Sequence, residues 1–149
     1  RIQNGTITPP DLFQFAVQIR SGSLCTASII SNRHLLTAAH CINEGKSMKK
    51  MHNRYKVYSE MPYYAILRPI SESVQNKSLL PKSTTVYLPK EYSKKHVSMD
   101  DIAIIEFPED TFYGIEPVKL AKDYIEKEGD EAFIIGFGAW WMEGEVDFL

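Results

Sequence analysis

Short apolar segments alternate with turn-forming residues along the chain, and this alternation limits its fold more than any other feature. Gly, Pro, Asn and Ser interrupt the apolar segments before they reach the roughly 10 to 12 residues that a helix usually needs. Residues 121–128 are the one stretch with helix-like composition. We therefore predict an all-β sandwich or barrel. The predicted strands cover residues 15–19, 25–30, 35–37, 54–57, 65–67, 84–88, 102–107 and 131–136.

Charge and hydropathy argue against two classes of partner. The chain has 17 basic and 19 acidic residues, so no net electrostatic attraction draws it to nucleic acid or to an anionic membrane. We interpret the polar and basic stretch at residues 43–53, and a second polar stretch at 71–83, as exposed loops. No run approaches the roughly 18 consecutive apolar residues of a membrane-spanning helix. We therefore expect no nucleic-acid partner and no membrane partner.

The cysteines and two short motifs bear on the cellular compartment. Cys25 and Cys41 are the only cysteines, and they could form one bridge in an oxidising compartment or remain two buried thiols. Asn4 and Asn76 each begin an Asn-X-Ser/Thr sequon for N-linked glycosylation. Together these features favour an extracellular location. Two thiols and four scattered histidines lack the close ligand pairs of a zinc site, so we expect no metal and no cofactor.

Residues 35–41, Leu-Leu-Thr-Ala-Ala-His-Cys, carry the strongest chemical signal. An apolar strand ends there in small residues, which let a neighbouring segment approach His40 while one ring nitrogen stays free for a hydroxyl. A lone histidine at a strand end is more often structural than catalytic. The string Thr-Ala-Ala-His-Cys, however, closely resembles the histidine motif of the chymotrypsin-like (trypsin) family of serine proteases.

Further segments resemble motifs of the same family, in the same order. The resemblance spans nearly the whole chain and implies a double Greek-key β-barrel. Residues 1–120 would form the first barrel with the activation region, and residues 121–149 the crossover and the first part of a second barrel. The matching segments are 1–6 for the activation site, 13–19 for the first strand, 25–30 for the strand with the first half-cystine, 86–92 before the aspartate, 101–105 for the aspartate motif and 132–138 for an early strand of the second barrel.

The resemblance also implies roles for individual residues. His40 would be the general base and later the general acid, and Asp101 would orient it. Adjacent residues of an extended segment point to opposite faces, so both aspartates cannot reach His40, and the match to the family's aspartate motif selects Asp101. Asp100 is interpreted as a turn or cap acid. Cys25 and Cys41 would form the bridge around the histidine loop. Cleavage between Arg1 and Ile2 would activate a zymogen.

One motif of the family is missing from these residues. Gly-Asp-Ser-Gly-Gly, which supplies the nucleophilic serine and the oxyanion-hole amides, occurs nowhere in the 149 residues. Chains of this architecture often run to about 200 to 250 residues. We therefore expect the first barrel to be present and the second to be largely missing, with an unpaired edge at residues 131–136. Thr26 and Ala27 also stand where the family often has two glycines.

Two functions follow as hypotheses. The first is a partial sequence of a secreted serine-type endopeptidase that is inactive as written because it lacks the serine. Completed by its missing half, it would act on protein or peptide substrates and would be bound by protease inhibitors. The alternative is a non-catalytic serine protease homologue that acts as a secreted binding or regulatory protein.

Overall fold

The computed structural model describes residues 5–20, 24–42, 48–59, 62–68, 77–93, 99–137, 140–142 and 145–147. Arg1, Ile2, Asn4 and Asn76 lie outside these ranges, so the predicted activation site and the two sequon asparagines are not described. The strands are β1 (Ala16–Arg20), β2 (Leu24–Ser31), β3 (His34–Thr37), β4 (Met48–Met51), β5 (Tyr55–Tyr58), β6 (Tyr64–Ile66), β7 (Thr85–Pro89), β8 (Ala103–Glu106), β9 (Trp140–Met142) and β10 (Glu145–Asp147).

Within the described residues, eight strands form one antiparallel sheet in the order β4-β5-β7-β8-β3-β2-β1-β6, and β9 and β10 form a second, two-stranded sheet. The described part of the chain contains short 3-10 turns but no α-helix, which confirms the all-β prediction. The sheet is open, with β4 and β6 at its two ends, as fits a partial barrel. Within the described ranges, no helix is long and apolar enough to cross a bilayer.

Alternation of side chains along the strands builds the core. In β3, Leu35 and Thr37 are buried, and they lie opposite Ile105 and Ala103 of β8, which are buried as well. Successive side chains of a strand point to opposite faces, so these two strands turn one face inward. The same inward face continues across the sheet through Val17, Ile19, Ala27, Ile29, Val86 and Leu88.

Two sequence predictions about strands are wrong. Residues 48–51 belong to the predicted loop at 43–53, yet they form β4 and pair with β5. A basic segment is compatible with an edge strand, because the ladder uses backbone groups and charged residues are common at sheet edges. Residues 131–136 form no strand, and the apolar side chains of Phe133 and Ile134 are 78% and 82% exposed. Strand-like composition was insufficient there, since no described strand pairs with this segment.

The helix-like composition of residues 121–128 also produces no helix. A helix needs roughly 12 to 15 residues to be even marginally stable alone, and shorter ones depend on an apolar face that packs against the core. Every residue from 121 to 128 is exposed, including Tyr124 and Ile125. The segment therefore lacks the packing that would stabilise helical turns.

Polar groups hold two parts of the structure to the sheet. The Arg68 guanidinium donates hydrogen bonds to the carbonyl oxygens of Thr8, Pro9 and Leu12 at 2.8 to 2.9 Å, which anchors the segment before β1. Glu106 of β8 accepts hydrogen bonds from Arg33 and from the Tyr87 hydroxyl. The bond to Glu106, together with burial, raises the pKa of Tyr87 to about 12. This cluster ties β8 to β7 and to the turn that leads into β3.

Candidate active site

His40 is presented by a short turn directly after β3. The 3-10 turn spans Ala39–Cys41, and its Ala39 and Cys41 are buried. Cys41 is joined to Cys25 of β2 by a disulfide with a Cα–Cα distance of 6.1 Å. The buried neighbours and the bridge hold the turn on the sheet, while the side chain of His40 remains 54% exposed. The histidine is therefore fixed at its backbone and open to solvent at its ring.

Asp101 meets this histidine although the two are 61 positions apart in the sequence. It lies just before β8, and β8 pairs with β3 so that Ala103 is opposite Thr37. This pairing brings the start of β8 next to the turn after β3. Asp101 Oδ1 accepts the backbone amide of His40 at 2.8 Å, and Asp101 Oδ2 lies 2.8 Å from His40 Nδ1.

The hydrogen bond selects a tautomer of the imidazole. An ionised carboxylate can only accept hydrogen bonds, so Nδ1 of His40 must carry the proton that it donates to Asp101. In the neutral ring, Nε2 is then unprotonated and can accept a proton. The pair can thus act as a base at Nε2 whose orientation is maintained by a carboxylate at Nδ1.

Asp100 lies in a turn and not in an extended strand. Its φ angle of 57° lies in the left-handed region, which Asp tolerates better than most residues. The amide of Ile102 donates to the carbonyl oxygen of Asp100 at 2.8 Å, so the chain reverses sharply there. The extended geometry assumed for residues 100–101 was wrong, while Asp100 does lie in a turn.

Opposing influences act on the pKa of Asp101. Burial raises it, but the hydrogen bond from the His40 ring, the amides of His40 and Ala39, and the attraction to the imidazole together lower it below its ordinary value. The carboxylate is therefore ionised at neutral pH, which is the form that accepts the Nδ1 proton.

This lowered pKa predicts a contribution to stability that acid removes. A group whose folded pKa lies below its unfolded value of about 3.9 stabilises the fold above that pH, and the effect is lost as the pH falls through the folded pKa. We expect Asp101→Asn to flatten the acid end of the stability curve, measured by urea unfolding between pH 6 and pH 2. Asp100→Asn, which removes the neighbouring carboxylate, is the control. Identical curves for the two variants would contradict the prediction.

Three residues at the site lie close enough together to be considered as ligands of a metal ion. Cys25, His40 and Cys41 each bring a potential ligand atom to within 4.8 Å of the others. The two sulfurs are bonded to each other, however, and zinc is bound by thiolates. With the disulfide formed, this cluster does not provide a ligand set for a metal.

A second histidine, His34, has a hydroxyl neighbour and a different role. Its Nδ1 lies 2.8 Å from Ser31 Oγ, and that oxygen also accepts the amides of Arg33 and His34. A serine that accepts two backbone amides in this way stabilises the turn between β2 and β3. The pair is explained by local turn geometry, whereas the His40–Asp101 pair depends on long-range strand pairing.

The sequence matches one family model and is similar to several known proteins. The sequence model of the family described as Trypsin matches residues 2–148. Chymotrypsin-2 of Vespa crabro is 28% identical over 147 residues, which cover 97% of this chain and 60% of that protein. Transmembrane protease serine 11B of Homo sapiens is 26% identical over 140 residues, which cover 92% of this chain and 30% of that protein.

A third similarity is more local. Serine protease 23 of Mus musculus is 33% identical over 52 residues, which cover 35% of this chain and 14% of that protein. The chain therefore spans less than two thirds of the length of each of these relatives.

Proposed function

Because the chain belongs to the trypsin family of serine proteases, we propose that it supplies the histidine and the aspartate of a serine-type endopeptidase. The observation that carries this proposal is the 2.8 Å contact between His40 Nδ1 and Asp101 Oδ2, beside an imidazole that is open to solvent. Protein or peptide chains are the corresponding substrates, and protease inhibitors are the corresponding regulators.

In the proposed reaction, His40 Nε2 takes the proton of a serine hydroxyl as the serine oxygen attacks the scissile carbonyl carbon. The imidazolium later donates that proton to the leaving amine. Asp101 remains ionised, holds the ring through Nδ1 and stabilises its positive charge. The hydrogen bond from the His40 amide to Asp101 fixes the carboxylate and the histidine turn as one unit.

The 149-residue chain has no Gly-Asp-Ser-Gly-Gly motif, and we propose that in this form it does not hydrolyse peptides. His40 then has no serine hydroxyl to activate. Each missing oxyanion-hole donor also removes a contribution of roughly 2.7 to 4 kcal/mol to transition-state stabilisation. We propose in addition that residues 1–120 form the first barrel, and that 121–149 form the crossover and the first part of a second. The grouping of β1 to β8 in one sheet, with β9 and β10 apart, supports this division.

Labelling of the serine tests the proposal. A fluorophosphonate probe, which reacts with activated serines, is expected to label a full-length form that carries Gly-Asp-Ser-Gly-Gly after cleavage between Arg1 and Ile2. The folded 149-residue chain is expected to remain unlabelled, and heat-denatured samples of both forms provide the background. Labelling of the 149-residue chain above that background would contradict the proposed inactivity, and an unlabelled full-length form would contradict the proposed enzyme.

We further propose that the protein is secreted as a zymogen. The disulfide between Cys25 and Cys41 supports an oxidising compartment, because such bonds persist mainly there. The sequons at Asn4 and Asn76 are the proposed glycan acceptors. Expression in a secretory host, followed by glycosidase treatment, should lower the apparent mass of the medium fraction if either sequon is used.

A non-catalytic homologue that binds or regulates other proteins is the second candidate function. The coding sequence distinguishes the two candidates. Intact transcripts that continue in frame to Gly-Asp-Ser-Gly-Gly support the endopeptidase. An in-frame terminator before such a motif, found in intact transcripts, supports the homologue.

A further inference from the structure

Thr26 connects two distant parts of the chain beside the candidate site. It follows Cys25 in β2, and Cys25 is bridged to the residue after His40. The Thr26 hydroxyl oxygen accepts the backbone amide of Phe137 at 2.9 Å, across 111 residues. Its carbonyl oxygen accepts the Thr37 hydroxyl at 2.9 Å, at the end of the strand that leads to the histidine turn. One residue therefore contacts both the histidine strand and the far segment.

The approach of the far segment to Thr26 is close. A Cβ atom built on Gly136 would lie 3.1 Å from Thr26 Oγ1, which is tighter than nine in ten real Cβ contacts. Glycine at position 136 thus allows the backbone to reach the threonine hydroxyl, and the Phe137 amide is placed to donate to it. The hydroxyl and the glycine form a matched pair.

The segment from Leu120 to Ile134, which precedes Gly136, has little attachment to the sheet among the described residues. Five of its large apolar side chains are 62% to 82% exposed, namely Leu120, Tyr124, Ile125, Phe133 and Ile134. A ring contact between Phe13 and Phe133, with centroids 5.7 Å apart, gives one point of attachment. The hydrogen bond from the Phe137 amide to the Thr26 hydroxyl gives a second point of attachment. Of the two contacts, this hydrogen bond is the one beside the disulfide of the histidine turn.

We propose that Thr26 is a positioning residue that holds residues 136–137 against β2 beside the histidine turn. This role rests on the proposed function, because in an active enzyme the segment beyond Phe137 would lead towards the part that carries the serine. The place where Phe137 is held then influences where that part lies relative to His40. Thr26 itself does not contact the reacting atoms.

Amide exchange on the folded 149-residue chain tests the contact without requiring activity. Thr26→Val keeps the side-chain shape and removes the hydroxyl, and we expect exchange at Phe137 to become about fivefold faster, as for loss of one ordinary hydrogen bond. Thr26→Ser retains the hydroxyl and should stay within about twofold of the parent chain. Thr84→Val, which removes a hydroxyl that bonds to Glu106 on the same sheet, is the control.

Exchange at β3 and β8 shows in the same experiment whether each variant is folded. Equal rates at Phe137 in the parent, Thr26→Val and Thr26→Ser chains, with β3 and β8 still protected, would overturn the contact. Failure of Thr26→Val to fold, while Thr26→Ser loses protection at Phe137, would overturn it as well, because the serine variant keeps the acceptor.

The positioning role is tested in a full-length form that carries the serine motif. There, Thr26→Val is expected to lower kcat several-fold with little change in KM, and Thr26→Ser to restore it. Equal kcat values in an active parent and in Thr26→Val would overturn the positioning role. If the full-length parent has no activity, the proposed function fails, and the exchange rates at Phe137 still decide whether Thr26 holds the segment.

Discussion

In a full-length form that carries the serine motif, His40→Ala is expected to lower kcat by about 10⁶-fold, the size found when the histidine of another Ser-His-Asp triad is removed. The reason is that Nε2 of His40 is placed to accept a proton, since Nδ1 is engaged by Asp101. Without this base the serine stays protonated and is a weak nucleophile. Steady-state hydrolysis of a peptide ester by the two proteins measures the change.

Two further variants make this prediction sharper. Asp101→Asn preserves the shape of the side chain but permits the wrong tautomer of His40, so a loss of about 10⁴-fold in kcat is expected. His52→Ala removes a histidine that stacks on Tyr55, and it should leave kcat nearly unchanged. A reduction of less than tenfold in His40→Ala, with unfolding curves like those of the parent, would contradict a catalytic role for the pair.

Loss of the disulfide is expected to have the largest effect on stability. Cys25 and Cys41 are 16 positions apart, and in the chain-entropy model a bridge that closes a loop of this length contributes about 3 kcal/mol. The double variant Cys25→Ala/Cys41→Ala should lose about that much free energy of unfolding, measured by urea denaturation. Since Cys41 follows His40 directly, the Nδ1 proton of His40 should also lose its distinct NMR resonance if the turn loosens.

Reduction provides a matched control for the disulfide. A dithiol reductant should destabilise the parent chain by a similar amount and should leave the double variant unchanged, because that variant has no sulfur–sulfur bond to break. A double variant as stable as the oxidised parent would show that the surrounding packing, including buried Ala39 and Ile42, holds the turn without the bridge.

Local sequence patterns predicted most of the main sheet. Short apolar segments bounded by turn-forming residues located β1, β2, β3, β5, β6, β7 and β8 to within a few residues, because short strands need apolar side chains for the core and turns between them. β4 escaped detection, since its basic residues suit an edge that needs only backbone pairing. At residues 131–136 the sequence predicted a strand that the structure does not have, because Phe and Ile favour strands only when a partner strand and a core are present.

The candidate site was predictable in its members but not in its geometry. Family motifs in order pointed to His40 and Asp101, and the resemblance implied the bridge between Cys25 and Cys41. Nothing in the local pattern indicated that Thr26 binds the amide of Phe137, because a hydroxyl and a backbone amide 111 residues apart leave no periodic signal. The substitution of Thr26 for a glycine of the family pattern was the only available hint.

The amino-acid sequence by itself determined the residue types that can form strands, turns, a disulfide and an acid–base pair, since these depend on side-chain chemistry and local periodicity. Only the tertiary structure decided that the pair meets. Antiparallel pairing of β3 with β8 brings the turn after one strand beside the residue that precedes the other, which places Asp101 2.8 Å from the His40 ring. Strand pairing joins segments far apart in the chain, and its register is set by which faces are buried together.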